Sequence, residues 1–224
     1  MAELWVTQLG RLPYGEALAL QHELRDRRQR DEIPDTLLLL EHDPVYTKGR
    51  RTTPADLPMG EEWYRTQGIE VEEAGRGGAV TYHGPGQLVG YPIMRIGSVH
   101  EHVATMERAM IQMLADEKVE ARSGGDLTGV WVGDRKIGSI GIHVQSRVTT
   151  HGFAINVDGD LQPFEWVVPC GIDHVRMTSL YLETGLPGGM PCFRKRAAYR
   201  FAQAFGLKQR IVSLDRLRVS SLVA

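Results

Sequence analysis

Hydrophobic and polar positions along the chain outline a mixture of strands and helices. Glu3 to Gln8 alternates in period two and predicts a strand. Tyr14 to Arg30 places Ala17, Leu18, Leu20 and Leu24 at helical spacing and ends in charge. Thr36 to Glu41 is a continuous leucine run, which predicts a buried strand. Pro44 to Met59, with prolines at 44, 54 and 58, predicts a loop. A short helix is expected over Glu61 to Gln67, and strands over Ile69 to Glu73 and Leu88 to Met94. Val99 to Glu117 predicts a long helix with Val103, Met106, Met110, Met113 and Leu114 on one side. Val130 to Val144 reads as a hairpin turning at Gly133-Asp134, followed by a strand over Phe153 to Val157. Pro191 to Phe205 predicts a third helix, and a small element is expected from Ile211. The expectation is one domain over residues 1–224, of α/β (α+β) class with a mixed sheet.

Composition narrows the function classes. A chain of 224 residues supports a sizeable core. A net charge of -2 argues against a dedicated nucleic-acid binder. The longest apolar run, Thr36 to Leu40, is far too short to span a bilayer, and the opening MAELWVTQLG lacks the form of a signal peptide. A cytoplasmic enzyme away from the membrane is the expectation. The two cysteines, Cys170 and Cys192, make no disulfide framework and no C-x-x-C. His100 and His102 stand two apart and no H-E-x-x-H occurs, so no metal is expected.

Two short stretches could carry chemistry. In Val168-Pro169-Cys170-Gly171, proline fixes its own φ and glycine permits a turn just after the thiol. Such a corner suits a nucleophile, because following amide N–H groups can face an oxyanion; a buried free cysteine is the plainer alternative. A nucleophilic thiol needs a partner to reach the thiolate, and His83, His143, His151, His174 and Lys136 are all candidates. Lys136 opens K-I-G-S-I-G-I, an otherwise uncharged strand into which a lysine can be drawn. The second stretch, Arg76 to Gln87, reads R-G-G-A-V-T-Y-H-G-P-G-Q and spends four glycines beside a tyrosine and a histidine. Neither it nor Ser123 to Gly125 is a phosphate loop, since no Gly-Lys-Ser/Thr follows and no helix opens after the glycines.

Taken together, these segments are more specific than any one alone. R-G-G-A-V-T-Y-H-G-P-G-Q at 76–87, K-I-G-S-I-G at 136–141, H-G-F-A-I-N-V at 151–157 and P-C-G at 169–171, with L-L-L-L-E-H-D-P-V-Y-T-K-G-R at 37–50, resemble the lipoyl(octanoyl) transferase family, also called lipoate–protein ligase B. The resemblance runs in order from Leu4 to Leu182. It implies the α/β catalytic domain of biotin and lipoate protein ligases, a mixed sheet with helices on one side. It implies octanoyl transfer from octanoyl-acyl carrier protein to a lysine of lipoyl domains, those of 2-oxo-acid dehydrogenase complexes and of the glycine cleavage H protein. By position, Cys170 matches the family's nucleophile and Lys136 its partner. Arg76, Gly77, Gly78, Ala79, Val80, Thr81, Tyr82 and His83, Ser139, Ile140 and Gly141, and Gly152, Phe153 and Ala154 match segments lining the acyl pocket. Gly171 N–H is the candidate oxyanion donor. No cofactor is implied, neither metal nor ATP, and a monomer is the default expectation.

The glycines would then let backbone pass close to the acyl chain and its carrier arm, with Tyr82 and His83 as walls or hydrogen-bonding groups. Two departures from the family stand out: Val168 where many relatives carry Asn, and Gly138 where Ala is common. Of two basic runs, Arg25 to Arg30 is expected to be a solvated helix face, whereas Lys48, Arg50 and Arg51 are a candidate docking patch for acidic partners. The rival readings are an ATP-dependent lipoate or biotin ligase, a papain-like thiol hydrolase, and an acyl-binding protein without activity. A papain-like enzyme places its cysteine early, against the late Cys170 here.

Overall fold

The computed structural model describes residues 2–125, 127–168, 175–187 and 189–219. Along the chain these form β1 (Glu3–Leu12), α1 (Tyr14–Gln29), β2 (Asp35–His42), β3 (Val45–Lys48), α2 (Glu61–Thr66), β4 (Glu70–Glu73), β5 (Thr81–His83), β6 (Gln87–Ile93) and α3 (Val99–Ala115). There follow β7 (Arg122–Ser123), β8 (Val130–Val132), β9 (Arg135–Gln145), β10 (Val148–Asn156), α4 (Leu180–Thr184), α5 (Met190–Ala204), β11 (Lys208–Ile211) and α6 (Leu214–Val219). Eight strands make one mixed sheet in the order β11-β1-β2-β6-β10-β9-β8-β7, and three make a second in the order β4-β3-β5. β1 runs parallel to β2 and β11; the rest of the main sheet is antiparallel.

The leucine run of β2 explains the layering. Leu37 and Leu39 join Leu4, Val6, Phe153 and Ile155 under Met106, Met110 and Met113 of α3 and Phe193 and Phe201 of α5. Leu38 and Leu40 join Trp5, Val89 and Tyr91 on the other face, under Leu20 and Leu24 of α1 and Leu217 of α6. A strand covered on both faces reads as continuous rather than alternating. The expectation of helices on one side is therefore corrected: both faces of the main sheet carry helices. Among the described residues no helix is long and apolar enough to cross a membrane.

The hairpin lies where its turn residues predict, with Gly133 at φ +58°. The expected loop from Pro44 is in part a strand. Val45 to Lys48 pairs with both β4 and β5, and Tyr46 packs fully buried on Tyr64 and Tyr82. Prolines at 54 and 58 do break the chain, through a short 3-10 turn at Pro54–Asp56, but Pro44 only precedes a strand. This small sheet sets the Arg76–Gly78 loop against the outer edge of β9, where Gly77 N–H donates to Ile142 O at 3.0 Å.

Candidate active site

A cavity of about 560 Å³ lies between the Arg76–Gly78 loop, β9, β10 and the segment before β8, within the size range of small-ligand sites. It is lined by Arg76, Gly77, Gly78, Ala79, Thr81, His83, Lys136, Ser139, Ile140, Gly141, Gly152, Phe153 and Ala154. Three motifs far apart in sequence thus meet at one place. Val80 and Tyr82 do not line it. Side chains on a strand alternate between faces, so Ala79, Thr81 and His83 face the cavity while Val80 and Tyr82 join Tyr46, Tyr64 and Phe164 in the small sheet's own core. The expectation of Tyr82 as a wall is corrected on that ground. Cys170 and Gly171, with Pro169 and His174, lie outside the described residues.

Sequence reasoning missed part of the lining: Tyr14, Val89, Tyr91, Val99, Val103, Leu127, Thr128 and Ile142 also face the cavity, beside Arg51 of the second basic run and His151 of the candidate thiol partners. Local sequence carries no signal for Tyr14, which enters from the start of α1, or for Tyr91, in the middle of a buried strand.

Lys136 is 3% exposed. A register shift between Trp131 and Val130 makes a bulge on β9, the device by which sheets re-aim a side chain beside a site. Ile137 fills the core at the bulge while Lys136 turns beneath Trp131, its Nζ 5.5 Å from the ring centroid. Gly129, at φ +129°, leaves the space: a Cβ there would come within 2.7 Å of Lys136 Cε. The Lys136 backbone is clamped to the segment that follows the P-C-G motif in sequence. Its N–H donates to Arg176 O at 2.8 Å, and its carbonyl accepts from Thr178 N–H at 2.9 Å. Just before the motif in sequence, Val168 N–H donates to Asp56 O at 3.0 Å. The described residues on both sides of Cys170 are thus fastened, one side of them directly to Lys136.

Arg76 is buried and folds back on its own surroundings. Its guanidinium donates to Thr47 O at 2.6 Å, Thr47 Oγ1 at 2.7 Å and Ala79 O at 2.8 Å. It braces the glycine loop against β3 and leaves a positive charge beside the cavity. Burial, and then the neighbouring His42 and Arg76, push His83 down to about 3; burial and Arg76 push His151 likewise to about 3. His42 is held by its neighbours: Nδ1 lies 2.9 Å from Leu12 O, which only accepts, so Nδ1 carries the proton and Nε2 accepts from Tyr91 O–H at 2.7 Å. Burial raises the Tyr91 phenol, which stays protonated as this bond requires.

Gly152 and Gly141 pack against neighbouring backbone, and Gly138 against the Met110 side chain, rather than thinning walls for a chain. A Cβ at Gly152 would lie 2.2 Å from Gly90 O, at Gly138 2.4 Å from Met110 Cε, and at Gly141 3.0 Å from Gly77 O. Gly77 has room, with only Ile142 O near, at 3.6 Å; Gly78 meets only Arg76 Nη1, at 3.4 Å, but holds φ +89°, where a side chain would be strained. Of the two basic runs, Arg25, Arg27, Arg28 and Arg30 are paired to Asp26, Glu32, Asp31 and Asp35. Lys48 is held by Glu61 at 2.6 Å and Glu73 at 2.7 Å, which removes it from the expected docking patch. Arg50 meets His143, and exposed Arg51 sits at the cavity. Among the described residues no group of His, Cys, Asp and Glu is arranged to hold a metal.

The lipoyl protein ligase A/B catalytic domain profile matches residues 13–202. The chain belongs to that family. An octanoyltransferase from Rubrobacter xylanophilus is 48% identical over 180 residues, covering 79% of this chain and 81% of the relative. The mitochondrial octanoyltransferase of Arabidopsis thaliana is 44% identical over 187 residues, covering 81% and 79%. That of Caldicellulosiruptor saccharolyticus is 41% identical over 221 residues, covering 96% and 94%. Among solved structures, a putative lipoate protein ligase from T. acidophilum superposes with a TM-score of 0.77 at 16% identity, covering 98% of this chain and 92% of that one. A lipoate-protein ligase A bound with ATP gives 0.73 at 16% identity, covering 99% and 94%. The mixed α/β fold is that of the lipoate ligases.

Proposed function

We infer that this protein is an acyltransferase of protein lipoylation, moving an octanoyl group onto the lysine of a lipoyl domain. The observation that carries this reading is the placement of Lys136: buried on a bulge, lining the cavity, and hydrogen-bonded through its backbone to the segment that follows Cys170. The octanoyltransferase relatives support the acyl group, and the partly apolar lining suits it.

The scheme has two steps. The Cys170 thiolate attacks the carbonyl carbon of octanoyl-acyl carrier protein; the carbon–sulfur bond to the carrier's arm breaks, and the carrier thiolate leaves, taking a proton. An octanoyl-Cys170 thioester remains. The neutral ε-amine of the acceptor lysine then attacks the same carbon, the bond to Cys170 Sγ breaks, and the amine's proton passes through Lys136 to the thiolate. Gly171 N–H is the proposed oxyanion donor. His83 and His151, at about 3, are too weakly basic to take a thiol proton at neutral pH, which leaves Lys136 as the proton carrier among the described cavity residues. Thioester to amide runs downhill, so the scheme needs no ATP.

Intact-protein mass after mixing with octanoyl-acyl carrier protein, without ATP or acceptor, tests the scheme. A gain of one octanoyl group is expected, absent in Cys170→Ala and slowed roughly 10²- to 10⁴-fold in Lys136→Met. No gain from folded protein, with activity restored by ATP and free octanoate, would move the reading to the ligase reaction of its structural neighbours.

A further inference from the structure

Beneath the cavity runs a chain of buried amides that the two-step scheme does not use. Gln87 and Asn156 stand directly opposite each other on β6 and β10, 6% and 3% exposed. Gln87 Nε2 donates to Asn156 Oδ1 at 2.9 Å and approaches Tyr82 O at 3.3 Å; Asn156 Nδ2 donates to Thr178 O at 3.0 Å. Both ends rest on backbone carbonyls, which only accept. The orientation of each amide is thereby fixed, and Gln87 Oε1 is the atom left facing His83 Nδ1, at 2.6 Å. An amide oxygen only accepts, so Nδ1 must carry the proton. A neutral imidazole with its proton on Nδ1 has a lone pair on Nε2. That nitrogen makes no hydrogen bond among the described residues and is not among their sealed, unpartnered atoms, and the ring lines the cavity.

We propose that the Gln87–Asn156 relay locks His83 in the Nδ1–H tautomer, so that Nε2 accepts a hydrogen bond from the attacking lysine amine and orients it. His83 on this account never takes the proton: it is an acceptor, and the proton goes elsewhere. Gln87 and Asn156 are positioning residues. The far end of the relay is Thr178, whose N–H is bonded to the Lys136 carbonyl. One network therefore sets both the acceptor for the amine and the strand beside the lysine. The acceptor role rests on the acyl-transfer reading; the tautomer does not.

Nitrogen-15 NMR of histidine-labelled protein near neutral pH reads the tautomer directly, with His83 assigned by the signals lost in His83→Gln. The expected spectrum has a protonated Nδ1 and an unprotonated Nε2 for His83. Gln87→Met, of similar size but without the amide, should shift the ring toward the Nε2–H form that free imidazole favours. A wild-type ring already protonated on Nε2 overturns the proposal even if the variant does not fold, and so does a variant tautomer that stays unchanged. In single-turnover assays, Gln87→Met should slow transfer from octanoyl-enzyme to a lipoyl domain about tenfold and leave enzyme octanoylation at its wild-type rate. Equal slowing of both steps would overturn the acceptor role. The predicted tautomer in a wild-type protein that transfers no octanoyl group would sink the functional reading and leave the lock standing.

Discussion

At the scale of single residues, two glycines separate packing from substrate contact. Gly152 sits opposite Gly141 on β9, and a methyl at Gly152 would drive into Gly90 O and Pro92 of the neighbouring strand. Gly152→Ala should cost about 1–3 kcal/mol through overpacking, measured as a drop of several degrees in Tm. Gly77→Ala meets only ordinary contact and should stay within about 0.5 kcal/mol of wild type, yet it adds a methyl to a residue that lines the cavity. Its signature would be a changed preference for acyl-chain length at unchanged Tm. The sequence shows that glycines crowd this region but not which way each one faces. The alternation that turns Val80 and Tyr82 away from the cavity was legible in A-V-T-Y-H. The bulge that buries Lys136 was not, because a bulge is set by pairing with β8 and leaves no local mark beyond the glycines.

Elements are held to one another by a few polar ties, of which Arg76 is the densest. Its guanidinium spans Thr47 on β3 and Ala79 before β5, so one side chain joins the small sheet to the loop that caps β9. Arg76→Lys supplies a charge but not the planar fork, and should not restore these bonds. Each buried carbonyl left without a donor costs about 1–3 kcal/mol, so a lower urea midpoint is expected for Arg76→Lys and a lower one still for Arg76→Met. The long helices and the hairpin were readable because their period and turn residues agree with the final packing. β3 was not, since prolines 44, 54 and 58 spread a loop signal over four strand residues. Helices on both faces were in principle visible in the leucine run: a strand with one wet face would alternate, and β2 does not.

For the whole molecule, buried neutral histidines set the response to acid. His83 and His151 are pushed down to about 3 and His102 to about 4 from an ordinary 6.5, burial being the first cause in each case. The unfolded chain binds more protons between those values, so stability falls as pH drops below 6.5 and keeps falling toward 4 and 3. Thermal melts from pH 7.5 to 4.5 should show this slope. His102→Leu, on α3 against Phe205 and outside the cavity lining, should flatten it; an unaltered slope would contradict the assignment. At one edge of the main sheet β1 lies beside β11, Glu3 against Lys208. On the ribosome, β1 can find β2 early, but its outer edge stays open until residues 208–211 have emerged. An open edge is a template for a neighbouring nascent chain, so the time spent translating the intervening sequence is a window of aggregation risk. Slower synthesis, which lengthens that window, should lower the soluble yield of this protein.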